Sequence, residues 1–504
     1  MSEPAPVLPT WRQRFWANTT SSYVYLVVRL AVGLLVFRLL FNAFPAADFG
    51  FWTVLWSVLG FGIIIDLGFG TTVQRATARF LAKDVDAEHL NRLVATIFAV
   101  FLGLGLVFFA GAMAVREPVL ERLGLPAGDL DRYRTAYRDF FLGLIPLLPL
   151  GLLPEILRGL HRSALINWLS AINSLAVYGC AVVALAAGWG LVDLMRLVVV
   201  LQLVPNAIAL LAVHRLIPTF SLAPRWWSLS ALREQLRFSL ASYAIACSAA
   251  ALAALDNLLM TALFGLLAVP TYVAGAKVAD LLTQTVRQLY GALPAAAAEM
   301  HARGDRAQVA QLLLLGYRLT WVVATPLYVL ALLHLDPLLH VLTGVAQASP
   351  QSRTVGMLLL TGAWAGAVVG GCGRRLLLLC GHHRAMMVIA LVHLGAAVVL
   401  GAGLGWWMGP SGVALGSVLA GLLAGALPVV PLVMRTSGLD AREVLRVIGG
   451  DLATFGLAFA LPTAACGWWW PSDSTTTLPG MLARGAVCVL PMALFVRRLR
   501  GKGR

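Results

Sequence analysis

Long apolar runs recur from one end of the chain to the other, separated by short polar stretches. A run of roughly 20 apolar residues makes an α-helix that crosses a bilayer. Run length predicts about fourteen spans. They lie near 20–43, 50–74, 92–114, 136–157, 166–188, 192–214, 238–263, 269–294, 312–334, 354–377, 386–408, 411–434, 447–467 and 480–496. A membrane β-strand would instead alternate over about 10 residues, and these runs are longer and do not alternate. The expected fold class is an all-α polytopic membrane protein. Loops are short, so no soluble catalytic or nucleotide-binding domain fits between the spans.

Shifting the sequence by 221 residues lays the second span over the eighth: Phe51 meets Tyr272 and Gly70 meets Gly291. That weak repeat fits two six-helix halves with two helices added, and repeats recur in transporters. The expected organisation is an interfacial N-terminal segment (1–19), an N-lobe (20–214) and an inter-lobe linker (215–237). A C-lobe (238–434), two further helices (435–496) and a basic tail (497–504) follow.

Composition agrees with the pattern. The chain has 504 residues, 60% hydrophobic and 12% charged, with a mean hydropathy of +0.83. A soluble chain carries about 25% charged residues. The net charge of +15 would suggest nucleic acid in a soluble protein. Here the basic residues collect in short loops on one side, among them Arg75, Arg79, Lys83, Arg158, Arg162, Arg225, Arg374, Arg384 and Arg435. The positive-inside rule places that side, and both termini, in the cytoplasm. The loop 115–135, on the opposite side, breaks the rule, but its arginines are matched by Glu117, Glu121, Asp129 and Asp131. The six cysteines fall in or beside apolar runs without metal spacing, as small buried hydrophobes do. The histidines show no ligand pattern, so no metal and no cofactor is expected. Trp11, Arg12, Arg14, Phe15 and Trp16 read as an interfacial anchor or a tail.

A few ionisable residues remain inside spans: Arg29, Arg38, Asp66, Asp193, Arg196, Asp256, Lys277, Asp280, Arg287 and Arg318. Each costs roughly 2.5–3.5 kcal/mol at a helix centre, so an interior site or pathway is the default reading. The eighth span is the most informative. Asp280, Gln284 and Arg287 stand at i, i+4 and i+7, one helical face, with Lys277 at its edge. Val278, Leu281, Leu282, Val286 and Leu289 lie opposite. The stripe reads either as a cavity wall or as internal pairs, Lys277 with Asp280 and Asp280 with Arg287. Two cations sharing one anion leave a positive remainder, which favours the cavity. Arg29 and Arg38, nine residues apart, face roughly opposite ways. Arg38 can snorkel to the outer end, which leaves Arg29 as the cavity candidate. Snorkelling is also the favoured reading for Arg196 and Arg318, near span ends. Asp66 and Asp256 read either as ion-coupling carboxylates or as buried partners that fix helix packing. No phosphate loop, G-x-S-x-G or H-E-x-x-H motif occurs, which favours transport over catalysis.

Three stretches carry a family resemblance. DFGFWTVLWSVLGFGIIIDLGFGTTVQRATARFLA (48–82) resembles the second-helix region of polysaccharide flippases. LDNLLMTALFGLLAVPTYVAGAKVADLLTQTVRQLYGALPAAAAEMHARGD (255–305) resembles their seventh and eighth helices, and RRLLLLCGHHRAMM (374–387) their tenth-to-eleventh loop. The family is the multidrug/oligosaccharidyl-lipid/polysaccharide exporter superfamily, in its Wzx-type branch of O-antigen and exopolysaccharide flippases. The resemblance implies a bacterial inner-membrane protein whose two lobes surround a cationic central cavity. It implies a cargo of undecaprenyl-diphosphate-linked oligosaccharide, moved to the outer leaflet by alternating access. Carried over, Arg29, Lys277, Gln284 and Arg287 would bind the substrate, and Asp66, Asp256 and Asp280 would couple an ion. Asn257 follows Asp256 where the family commonly has a basic residue, and Arg38 has no counterpart. Membrane lipids and a polysaccharide polymerase of the same pathway are the expected partners, and nucleic acid is not. The physics points the same way, because a diphosphate crossing a low-dielectric slab needs positive charge, and arginine matches its oxygens. The alternatives are a cation-coupled multidrug exporter of the same superfamily and a membrane polysaccharide polymerase or ligase.

Overall fold

A computed structural model describes residues 11–60, 69–81, 85–125, 127–160, 162–289, 306–344, 349–379 and 382–439. Among them there is no strand, and eleven helical segments are long and apolar enough to cross a membrane. The chain is an all-α, multi-pass membrane protein. The two expected C-terminal spans, at 447–467 and 480–496, lie outside the described residues, as do 61–68 of the second. Contacts divide the chain into two compact units, Met1–Ala250 and Ala251–Arg504.

The first unit holds α1 (Trp11–Ala43), α2 (Ala46–Gly60), α3 (Phe69–Leu81), α4 (Ala87–Ala114), α5 (Arg116–Arg122), α6 (Leu130–Leu150), α7 (Leu153–Gly159), α8 (Ser163–Ala186) and α9 (Leu191–Leu216). The helix α10 (Leu229–Phe264) runs from this unit into the second. Asp86 caps α4 by accepting from the His89 N–H at 2.8 Å, which satisfies one of the free donors of the first turn. Phe69, Val73, Leu90, Val94, Leu153, Ile156 and Val213 pack into a buried core joining α3, α4, α7 and α9. The polar segment after α9 is tied to α4. Asn91 Nδ2 donates to Thr219 O at 2.7 Å and its Oδ1 accepts from Ser221 N at 3.1 Å.

One expectation is corrected here. The stretch 115–135 is not an open loop: α5 and the start of α6 occupy most of it. Its charges neutralise each other across helices. Arg134 forks onto Glu117 at 2.7–3.2 Å, and Arg132 meets Asp48 of α2 at 2.8 Å. The Tyr133 hydroxyl donates to the same Asp48 oxygen at 2.5 Å. With charges paired, the chain keeps its helical hydrogen bonds where polar composition alone suggests a loop. Arg196, exposed near the start of α9, pairs through its Nε with Asp139 of α6 at 2.6 Å.

The second unit continues with α11 (Val269–Leu289), α12 (Arg306–Leu333), α13 (Leu335–Thr343), α14 (Pro350–Gly366), α15 (Cys372–Leu379), α16 (His383–Met408), α17 (Pro410–Ala420) and α18 (Val429–Ser437). Ser349 caps α14 through the Ser352 N–H at 3.1 Å, with Pro350 at the first helical position, where its missing donor costs nothing. Gly409, at φ +71°, turns the chain between α16 and α17, a conformation glycine adopts without strain. Two π-helical turns interrupt the unit, Ala367–Gly371 between α14 and α15 and Gly421–Ala426 between α17 and α18. They face each other: a Cβ on Gly370 would lie 3.1 Å from the Ala426 Cα. Arg374, grouped with the basic residues of the cytoplasmic side although the expected span 354–377 contains it, lies within α15, in the span Pro350–Leu378.

Candidate functional site

The site is built on α11, and glycine decides how that helix docks. A Cβ on Gly275 would sit 2.4 Å from the Ser352 carbonyl oxygen of α14. Only a bare Cα allows the two backbones to approach this closely, the packing mode that small residues permit between membrane helices. Ser352 Oγ adds a hydrogen bond to Thr271 O at 2.8 Å. The Gly275 side of the helix is therefore inward. Tyr272, Ala274, Val278, Ala279 and Val286 are buried there.

The stripe at i, i+4 and i+7 lies on the other side. Asp280 and Arg287 are exposed, and Lys277 and Gln284 are half-buried. Asp280 stands within electrostatic reach of Lys277, Arg287 and Asp256. Of the apolar residues opposite, Val278 and Val286 are buried while Leu281 and Leu282 are half-buried. Leu289 belongs to α11, but its side chain lies outside the described ones. At the flank, Thr283 Oγ1 pairs with the hydroxyl of the buried Tyr328 at 3.2 Å.

Asp256, in the second half of α10, has neutral partners. Its Oδ2 accepts from the Tyr272 hydroxyl at 2.7 Å, and its Oδ1 accepts from the Ser417 hydroxyl. Glycines deliver Ser417 to this position. A Cβ on Gly416 would lie 2.6 Å from the Gly401 Cα, and one on Gly401 would meet Leu259 of α10 at 2.7 Å. Close packing of α10, α16 and α17 thus brings Ser417 to Asp256. The three groups link α10, α11 and α17.

The remaining expected site residues divide. Arg29 and Arg38 are both exposed on α1. Asp66 lies outside the described residues. Among the described residues, no group of three His, Cys, Asp or Glu side chains could share a metal ion. Sequence reasoning missed Tyr272, Tyr328 and Ser417. A tyrosine or serine in an apolar run carries no charge penalty, so nothing in the pattern singles it out.

No family model matches the chain, and no curated protein matches it in sequence. Solved structures do match in fold. The inward closed conformation of the lipid II flippase MurJ is similar, with a TM-score of 0.69 at 10% identity, over 96% of this chain and 99% of that one. So is the inward-facing conformation of a multidrug resistance MATE family transporter of the MOP superfamily, with a TM-score of 0.67 at 15% identity, over 83% of this chain and 96% of that one. A third is a MOP superfamily transporter from Pyrococcus furiosus, described by the reverse polarity of its binding pocket. It has a TM-score of 0.60 at 14% identity, over 85% of this chain and 96% of that one. The chain thus has the fold of MOP superfamily transporters and flippases.

Proposed function

We propose that this protein is a flippase that moves a lipid-linked oligosaccharide, carried on an anionic diphosphate, across the bacterial inner membrane by alternating access. The observation that carries this reading is the orientation of α11. The helix buries its apolar face and leaves Asp280 and Arg287 exposed. Exposure to hydrocarbon would cost a charged side chain several kcal/mol, so ionisable residues in membrane helices face a bundle interior or a water-filled cavity. Lys277 and Arg287 against the single Asp280 leave the stripe positive, the sign that a diphosphate requires.

Arg29, Lys277, Gln284 and Arg287 are the proposed substrate residues. Asp66, Asp256 and Asp280 are the proposed coupling carboxylates. Asp256 already accepts two hydroxyl hydrogen bonds, which position a carboxylate without neutralising it. Both termini are placed in the cytoplasm, with a polysaccharide polymerase of the same pathway as partner. The likeness to the lipid II flippase spans 96% of the chain against 83% for the multidrug transporter, which favours a lipid-linked cargo over a drug.

The test is translocation in proteoliposomes, read with a fluorescent undecaprenyl-diphosphate oligosaccharide. Wild-type protein is expected to expose the label to the opposite leaflet. Loss of that signal in a Lys277→Ala/Arg287→Ala chain supports the reading, and undiminished signal refutes the assigned site.

A further inference from the structure

A further cationic group lies in the Ala251–Arg504 unit, on α15, within electrostatic reach of Arg287 at the end of the stripe. Arg374 is on α15, in the last turns of its span, where arginine ordinarily snorkels out to the interface. It does not do so here. A Cβ on the preceding Gly373 would meet Val433 at 2.7 Å and Val429 at 3.4 Å, so the Arg374 backbone is level with 429–433 of α18. Its Nη2 nevertheless donates to Gly425 O at 2.8 Å, about one turn further into the membrane. The guanidinium points inward.

The acceptor belongs to the π-helical turn Gly421–Ala426. π-turns widen the helix, loosen its carbonyls, and frequently mark functional sites. The turn packs tightly there. A Cβ on Gly425 would lie 3.0 Å from His393 Nδ1 of α16 and 3.3 Å from Arg374 Nη2. Three elements therefore converge: α15 with Arg374, α16 with His393, and the π-turn with its glycine.

Charge is unbalanced at this point. Among the described residues no carboxylate pairs with Arg374, and its buried Nε makes no hydrogen bond. Among the described residues, the charged or titratable neighbours within its electrostatic reach are Arg287 and His393, which add positive charge or none. A desolvated cation without a counter-charge is costly. A phosphate oxygen accepting from Nε would satisfy the donor and the charge together, in the geometry that guanidinium offers best.

We propose that Arg374, held by the Gly425 carbonyl beside His393, is a half-buried phosphate-binding station, to which the exposed Arg287 delivers an anion. This inference rests on the reading of an anionic, phosphate-bearing cargo. Arg374 is the binding group, and the Gly425 carbonyl is the positioning element.

Calorimetric titration tests the proposal, using the full chain in lipid nanodiscs with farnesyl diphosphate and inorganic pyrophosphate as probes. Wild-type protein is expected to bind. Arg374→Gln should weaken binding by about tenfold or more, the worth of a charge-assisted hydrogen bond, and Arg374→Lys should recover part of the loss. Gly425→Ala places a methyl 3.0 Å from His393 Nδ1 and 3.3 Å from Arg374 Nη2, so that both side chains must shift without any charge being removed. It should weaken binding likewise, and it decides the matter if Arg374→Gln is not monodisperse. Tighter binding of farnesyl diphosphate assigns the station to a lipid headgroup, and equal binding of the two probes assigns it to the free anion. If Arg374→Gln and Gly425→Ala bind like wild type while Arg287→Gln does not, the station is overturned and the flippase reading stands. If folded wild-type protein binds neither probe, the anionic cargo fails and the station fails with it.

Discussion

Two charge-rich regions of the chain are organised in opposite ways. Around α5 and α6, every arginine from 132 to 138 has a carboxylate partner. Arg132 pairs with Asp48, Arg134 with Glu117 and Asp131, and Arg138 with Asp139. In the Ala251–Arg504 unit, Lys277 and Arg287 share the reach of Asp280, and Arg374 hydrogen-bonds only to a carbonyl among the described residues. The first region is nearly neutral and the second is positive. Paired charges cost little to keep and tie helices together. A cation with no counter-charge among the described residues, as at Arg374, costs stability, so a chain retains it where it binds something.

The comparison breaks most sharply at the stripe. Lys277→Ala/Arg287→Ala should lower surface-polysaccharide export by more than about tenfold, with membrane abundance unchanged. Complementation of an export-deficient strain, with immunoblotting for abundance, checks both. Normal export would place these charges with the architectural ones.

The next largest effect belongs to the neutral region. Asp48 has a side-chain exposure of 3% and holds both Arg132 and Tyr133. Asp48→Asn should cost about 1–3 kcal/mol, because two donors lose a charged acceptor. A lower unfolding temperature with undiminished transport by the surviving protein is expected. A transport defect without destabilisation would move Asp48 into the mechanism.

Asp256 lies between these extremes. Ser417→Ala removes one of its two hydroxyl donors and should destabilise by about 1 kcal/mol, measured by thermal unfolding in detergent. If Asp256 couples an ion, the same substitution also shifts the ion dependence of transport. If only stability changes, Asp256 is a packing residue.

The smallest effect is at Glu117. Hydrogen bonds from Arg134, and then Arg116, hold its carboxyl below the usual value of 4.5 despite the opposing effect of desolvation. A depressed native pKa means that the pair stabilises the fold above the unfolded-state value. That contribution disappears as pH falls through the native value. Glu117→Gln should therefore unfold slightly earlier than wild type at neutral pH, and the two curves should merge in acid. The difference should also shrink with added salt, because exposed pairs are screened.

Much of this was legible in the residues. Helical class follows from run length, and the stripe on α11 follows from spacing, since Asp280, Gln284 and Arg287 share a face in any straight helix. The Tyr272–Asp256–Ser417 link was not legible, because its members are 16 and 161 positions apart and two of them carry no charge. Arg374 was counted with the basic residues of the cytoplasmic side because it sits at the end of the expected span 354–377, and position along the run does not report which way its side chain turns. The stretch 115–135 was read as a loop because composition reports polarity without reporting which charges meet.

Sequence alone determined that this chain lives in a membrane as helices, because the bilayer leaves an apolar run of that length no other way to satisfy its backbone. It also determined that α11 has one charged face and one apolar face, because helical period is a local property. Only the tertiary structure decided which face is inward, through the contact at Gly275 that no side chain larger than hydrogen permits. It likewise decided where the Arg374 guanidinium points, because the facing π-turns and the glycines at 373 and 425 are contacts between distant segments. Periodicity is written along one helix, but neutralisation and close approach belong to pairs of helices, and those exist only after folding.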